Sequence, residues 1–133
     1  MTRFVVDATA VLFLLDNDIE VLTEHTLLAP TLLRSQVLSL LHEALHRGEV
    51  RQDDARALLA RFSDIPIRLL GDSALRRRAW AVADQLGWSS TYDAEYVALT
   101  QLQGDFFVTH NTELARSVDG IIALASVDDL VRP

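Results

Sequence analysis

Short apolar runs alternate with longer stretches whose hydrophobic positions recur every three or four residues. Four of the runs read as buried strands: Phe4-Val5-Val6, Ile65 to Leu70 (interrupted by Pro66 and Arg68), Phe106-Phe107-Val108, and Ile121 to Leu124. Leu27-Leu28-Ala29, ended by Pro30, is a weaker fifth. The intervening periodicity predicts helices over 9–15, 31–47, 51–63, 72–87 and 91–103. In the second of these, Leu33, Val37, Leu40, Leu41, Ala44 and Leu45 form one apolar stripe, which Gly48 closes. At about 100° per residue, Gln36 falls on the border of that stripe and can look into a cleft beside the core. His42 and His46 fall on the opposite, solvent face. Strands alternating with helices imply an α/β fold, a parallel sheet covered on both faces.

In an open parallel sheet, ligands collect beyond the carboxyl ends of the strands. Asp7 directly follows the first strand, and Asn111 stands three residues after Val108. Asp93 opens the helix that precedes Phe106-Phe107-Val108. The fold therefore gives three polar residues, far apart in sequence, a reason to meet at one edge. Each also has a local use. Asp7 can cap the helix that begins near Thr9, and Asn111 can cap the segment Thr112 to Arg116. Ser90-Thr91-Tyr92-Asp93 has the spacing of a capping box.

The chain of 133 residues has the length of one domain, 1–133, and its hydrophobic half excludes disorder. No charge-free apolar run approaches about 18 residues, so no membrane span is expected. With no cysteine, disulfides, thiolate metal sites and thiol nucleophiles are excluded. Met1-Thr2-Arg3 runs straight into a strand without a signal or transit peptide, which predicts a soluble, cytoplasmic protein. Twelve basic against nineteen acidic residues leave a net charge of −7. That balance argues against coating nucleic acid non-specifically. It allows an enzyme that touches a few phosphates through a metal ion, and it suits a basic peptide partner.

His42-Glu43-Ala44-Leu45-His46 matches the H-E-x-x-H zinc-protease pattern. Both histidines face water, however, the helix ends shortly afterwards, and no downstream histidine follows. A solvated helix face is the expectation. Arg76-Arg77-Arg78 likewise reads mainly as a solvated face, and Trp80 and Trp88 as core or interface residues.

Four segments carry a wider pattern: Val5-Val6-Asp7-Ala8-Thr9, Ala29-Pro30-Thr31 through Gln36-Val37, Thr91-Tyr92-Asp93-Ala94-Glu95-Tyr96-Val97-Ala98-Leu99, and Phe107-Val108-Thr109-His110-Asn111. In this order and spacing the chain resembles a PIN domain, and looks closest to the VapC-like toxins of bacterial toxin–antitoxin pairs. The resemblance covers essentially the whole chain, and Tyr-Asp-Ala-x-Tyr-x-Ala-Leu is its most specific part. It implies a three-layer α/β/α sandwich with a central five-stranded parallel sheet. It also implies an endoribonuclease dependent on Mg²⁺ or Mn²⁺, an RNA substrate, a cognate antitoxin and a homodimer.

By that resemblance Asp7 and Asp93 correspond to the family's first and third acids and would hold the ion. Gln36 and Asn111 stand where the family has Glu and Asp. As amides of the same shape they would orient water or donate to phosphate, and Thr9 and Thr109 would hydrogen-bond the carboxylates. Glu43 lies on the stripe of Gln36 but about 10.5 Å further along, which reads as too far to substitute for the missing acid. With two of four acids neutral, the alternative reading is a catalytically impaired PIN domain that binds RNA or an antitoxin without cutting.

Overall fold

A computed structural model describes residues 1–133. Five parallel strands, β1 (Arg3–Val6), β2 (Thr26–Pro30), β3 (Ile67–Leu70), β4 (Phe106–Val108) and β5 (Leu124–Ala125), form one sheet in the order β3-β2-β1-β4-β5. Six helices accompany them: α1 (Ala8–Asp16), α2 (Leu32–His46), α3 (Gln52–Asp64), α4 (Ser73–Leu86), α5 (Tyr92–Leu102) and α6 (Thr112–Val118). A 3₁₀ turn over Val127–Val131 follows β5. Helices α1, α2 and α3 pack on one another, and α4 packs on α5. Between these groups lies the sheet, with α5 against β1, β2 and β4, and α2 against β2. This is the α/β fold with a five-stranded parallel sheet that the alternating pattern predicts. No helix is long and apolar enough to cross a membrane.

The two weakest strand signals come out differently from their sequence reading. β2 is the longest strand, not a marginal one. It lies between β1 and β3, so Leu27, Leu28 and Ala29 are all buried and show no alternation to read. Pro30 sits at its last position, where a missing N–H disturbs the ladder least. The last strand starts at Leu124 rather than Ile121. The N–H groups of Ile121 and Ile122 are already spent on the Val118 carbonyl (2.9 and 3.2 Å), in the turn through Gly120 that closes α6.

β1 is the centre of the sheet. Its neighbours are β2 on one side and β4 on the other, so the strand order reverses there, and the crevice at such a reversal is where open α/β sheets bind ligands. Val5 and Val6 are fully buried. The chain end of α5 comes down so closely that a Cβ on Gly104 would lie 2.8 Å from Val5 Cγ2 and 3.2 Å from Thr100 Cα. Only glycine permits that approach, which brings α5 tight against β1 before the chain turns into β4.

Candidate active site

Asp7 leaves β1 at this reversal and is one of only two buried polar residues. It caps α1, its Oδ1 accepting from Ala10 N at 2.9 Å. The cap does not exhaust it. Thr9 Oγ1 donates to Oδ1 (2.7 Å), and Thr109 Oγ1, just beyond β4, donates to Oδ2 (2.5 Å). Each threonine hydroxyl accepts a backbone N–H in turn, Thr9 from His110 (2.9 Å) and Thr109 from Asn111 (3.1 Å). The ends of β1 and β4 are thus stitched together through one carboxylate, and Oδ2 is left with a free lone pair.

Asp93 lies in the first turn of α5. The capping box that its spacing suggests does not form: Ser90 Oγ accepts from Tyr92 N (3.3 Å), and Thr91, the cap residue, makes no side-chain capping bond. The only capping box in the chain joins Ser126 and Asp129. Asp93 is therefore not committed to the helix end. Partial burial, and then the charge of Asp7, hold its carboxyl above the usual aspartate range. Both carboxylates line one space.

Gln36 and Asn111 are both oriented by bonds to their oxygens. Burial, with the nearby carboxylates of Asp7, Glu95 and Asp93, keeps the Tyr96 phenol protonated, and it donates to Gln36 Oε1 at 2.5 Å. Asn111 caps α6, its Oδ1 accepting from Glu113 N (3.1 Å) and Leu114 N (3.2 Å). Those backbone donors fix which atom is oxygen. In both residues the amide nitrogen is left without a protein partner, so each offers N–H donors where a carboxylate would offer a lone pair.

Asp7, Thr9, Gln36, Asp93 and Asn111 line one pocket of about 220 Å³, together with Ala8, Ser39, Leu40, Glu43, Tyr96 and Leu114. Glu43, two turns beyond Gln36 on α2, lines the same pocket but does not complete a three-acid set with Asp7 and Asp93. Ser39 Oγ, on the turn between Gln36 and Glu43, donates to Glu43 Oε2 at 2.7 Å. Tyr96 is a further site residue that the sequence reading does not single out. Its signal is its place one turn after Asp93, on the same face of α5. His42 and His46 are exposed and line no part of the pocket, and no group of three or more His, Asp or Glu side chains is close enough to hold an ion. Trp88 packs against the core, whereas Trp80 is 68% exposed and is not a core residue.

No family model and no curated protein matches the sequence. Among solved structures, PAE2754 from Pyrobaculum aerophilum superposes with a TM-score of 0.73 at 22% identity, over 97% of this chain and 92% of that one. VapBC-1 from nontypeable Haemophilus influenzae superposes with a TM-score of 0.61 at 11% identity, over 96% and 99%. The fold is PIN-like. In this PIN-like sheet the reversal beside β1 carries Asp7, and the polar residues of the other three segments converge on it.

The raised pKa of Asp93 fixes the sign of a pH effect. Between the ordinary aspartate value and the raised one, the native state binds more protons than the unfolded state, so stability falls as pH climbs through that window. Asp93→Asn should remove this slope and, without metal at neutral pH, melt about 1–3 °C above the parent. A scan showing equal slopes for both proteins would reject the assignment.

Proposed function

We propose that this chain is a metal-dependent endoribonuclease, the toxin component of a toxin–antitoxin pair, which hydrolyses RNA phosphodiester bonds. The observation that carries the proposal is the convergence of Asp7 and Asp93 on one pocket at the strand-order reversal, with Asp93 not engaged in capping its helix. The PIN-like fold and the name VapBC-1 of one structural neighbour support it.

The donors fit a hard cation. Asp7 Oδ2 keeps a lone pair, Asp93 keeps all of its own, and no thiolate or imidazole lines the pocket. Mg²⁺ or Mn²⁺ held by one or two carboxylates, with water completing the octahedron, matches that set. The same residues do not fit a second ion, because no third acid is close enough to share one. When bound, the ion would supply an activated water and Lewis acidity towards the phosphate.

The rest of the work belongs to the chain. Thr9, Ala10 and Thr109 hold Asp7 in one orientation. The free N–H groups of Gln36 and Asn111 donate to non-bridging phosphate oxygens, which carboxylates at these positions could not do. Glu43, held by Ser39 at the far end of the pocket, accepts a hydrogen bond from entering water. An antitoxin would block the site with an arginine paired to Asp7 and Asp93, since a planar guanidinium suits carboxylates.

The amides favour a second reading, in which the pocket binds RNA or antitoxin without cutting. Incubating labelled RNA with the protein and Mn²⁺, Mg²⁺ or EDTA separates the two. We expect fragments with either ion and none with EDTA. Intact RNA under all three conditions, with the protein folded, would leave the binding reading in its place.

A further inference from the structure

Helix α4 has a face that the packing does not use. Leu75, Ala79, Val82 and Ala83 are buried, and the opposite side of the helix carries Arg76, Arg77 and Trp80. Trp80 is 68% exposed, which is unusual for the residue with the largest apolar surface. It lies four residues after Arg76 and three after Arg77, so both guanidinium groups flank the indole within one helical turn. Neither arginine forms an ion pair, although the chain carries nineteen acids; its salt bridges involve only Arg47 and Arg61. The third arginine of the run is turned aside, Arg78 Nη1 donating to Gln101 Oε1 at 3.3 Å. Two acids lie a turn away, Asp72 before Arg76 and Asp84 after Trp80; Asp72 is held by the Leu75 N–H, and with Arg78 the face carries three positive charges against two negative. None of these residues lines the Asp7 pocket.

We infer that this face of α4 is an accessory binding site for single-stranded RNA, with a base stacked on Trp80 and flanking phosphates against Arg76 and Arg77. The inference rests on the reading of the chain as an RNA-directed enzyme. Stacking on an exposed aromatic tolerates any base, and unpaired guanidinium groups within a turn of it suit a phosphate backbone. The patch answers a difficulty that composition raises. A chain with a net charge of −7 repels RNA as a whole, and its carboxylate pocket offers little to attract a strand. A local cationic and aromatic surface would retain substrate on the protein at little cost in overall charge. A second copy of the chain is a poorer occupant. A lone tryptophan bordered by arginines falls far short of the roughly 800 Å² per partner that a stable interface buries.

The test uses the full chain, a short fluorescein-labelled single-stranded RNA, and anisotropy titrations at several salt concentrations in EDTA, where cleavage does not interfere. Trp80→Ala should weaken binding about 10-fold or more. Arg76→Gln with Arg77→Gln should weaken it and lower the salt dependence of log K by about 1.4, roughly 0.7 for each phosphate no longer neutralised. RNA should also quench the fluorescence of the parent and leave that of Trp80→Ala, which reports only Trp88, unchanged. All three positions are exposed, and melting curves check that the variants fold. Equal RNA affinity in parent and variants overturns the accessory site, as does a parent that binds no RNA. A parent dimer that becomes monomeric in Trp80→Ala, with RNA affinity unaltered, assigns the face to self-association and also overturns it. Cleavage with Mn²⁺ at saturating RNA, followed in parallel, reports on the pocket, so the two ideas fail separately.

Discussion

Asp7→Ala should abolish divalent-ion binding and lower metal-dependent RNA cleavage by about 100-fold or more, since even loss of an outer partner of a ligand costs about 10–100-fold in affinity. The carboxylate is the junction of the site, and its removal strips acceptors from Ala10 N, Thr9 Oγ1 and Thr109 Oγ1 together. Loss of the cap alone should destabilise the fold by about 1 kcal/mol. Asp7→Asn separates the two effects, because its remaining oxygen can still cap α1 while the charge is gone. Asp93→Ala should match Asp7→Ala in the loss of metal without the loss of a cap, because Asp93 caps nothing. Calorimetric titration with Mn²⁺ checks the series. Unchanged affinity in both alanine variants would remove Asp7 and Asp93 from the metal site.

Gln36→Glu combined with Asn111→Asp should act in the opposite direction, raising Mn²⁺ affinity by about 10-fold or more and increasing cleavage with it. Each change keeps the hydrogen bond its amide now makes. A glutamate at 36 can still accept from the Tyr96 hydroxyl, and an aspartate at 111 can still cap α6, where negative charge is also favoured. The atom that changes is the free one, from an N–H donor into a carboxylate oxygen turned to the pocket. Without metal, five like charges, Glu43 among them, would then share about 220 Å³, so the apo protein should melt about 3–6 °C lower. Bound metal should recover this, with a rise that grows as the logarithm of its concentration. If the double variant binds Mn²⁺ no better than the parent and leaves RNA uncut, these amides do not stand in for missing ligands.

What is legible in the sequence follows from where the information resides. Asp7 and Asn111 can be placed because each follows a strand closely, and strand ends in a parallel sheet point to one edge. Gln36 can be placed because α2 has one clear stripe, with Leu33, Val37 and Leu41 buried. Glu43 and Tyr96 cannot, because their membership depends on how α2 lies against α5, and no local pattern records that. β2 is obscured by its own burial, since a strand covered on both faces loses its period of two. Trp80 reads as a core or interface residue from its hydrophobicity, and the phase of α4, which turns it away from Leu75 and Val82, removes the first alternative.

The pairing of β1 with β4 also sets when the pocket can exist. Val5 and Val6 lie in register with Phe107 and Val108, about a hundred residues later, and Thr109 supplies the last hydroxyl to Asp7. During synthesis the first strand and its carboxylate emerge about a hundred residues ahead of their neighbour β4. Pairing over such a separation is slow compared with helix formation. A chain without β4 lacks one wall of the pocket and the Thr109 hydroxyl that orients Asp7, so the site takes shape only once that strand has paired.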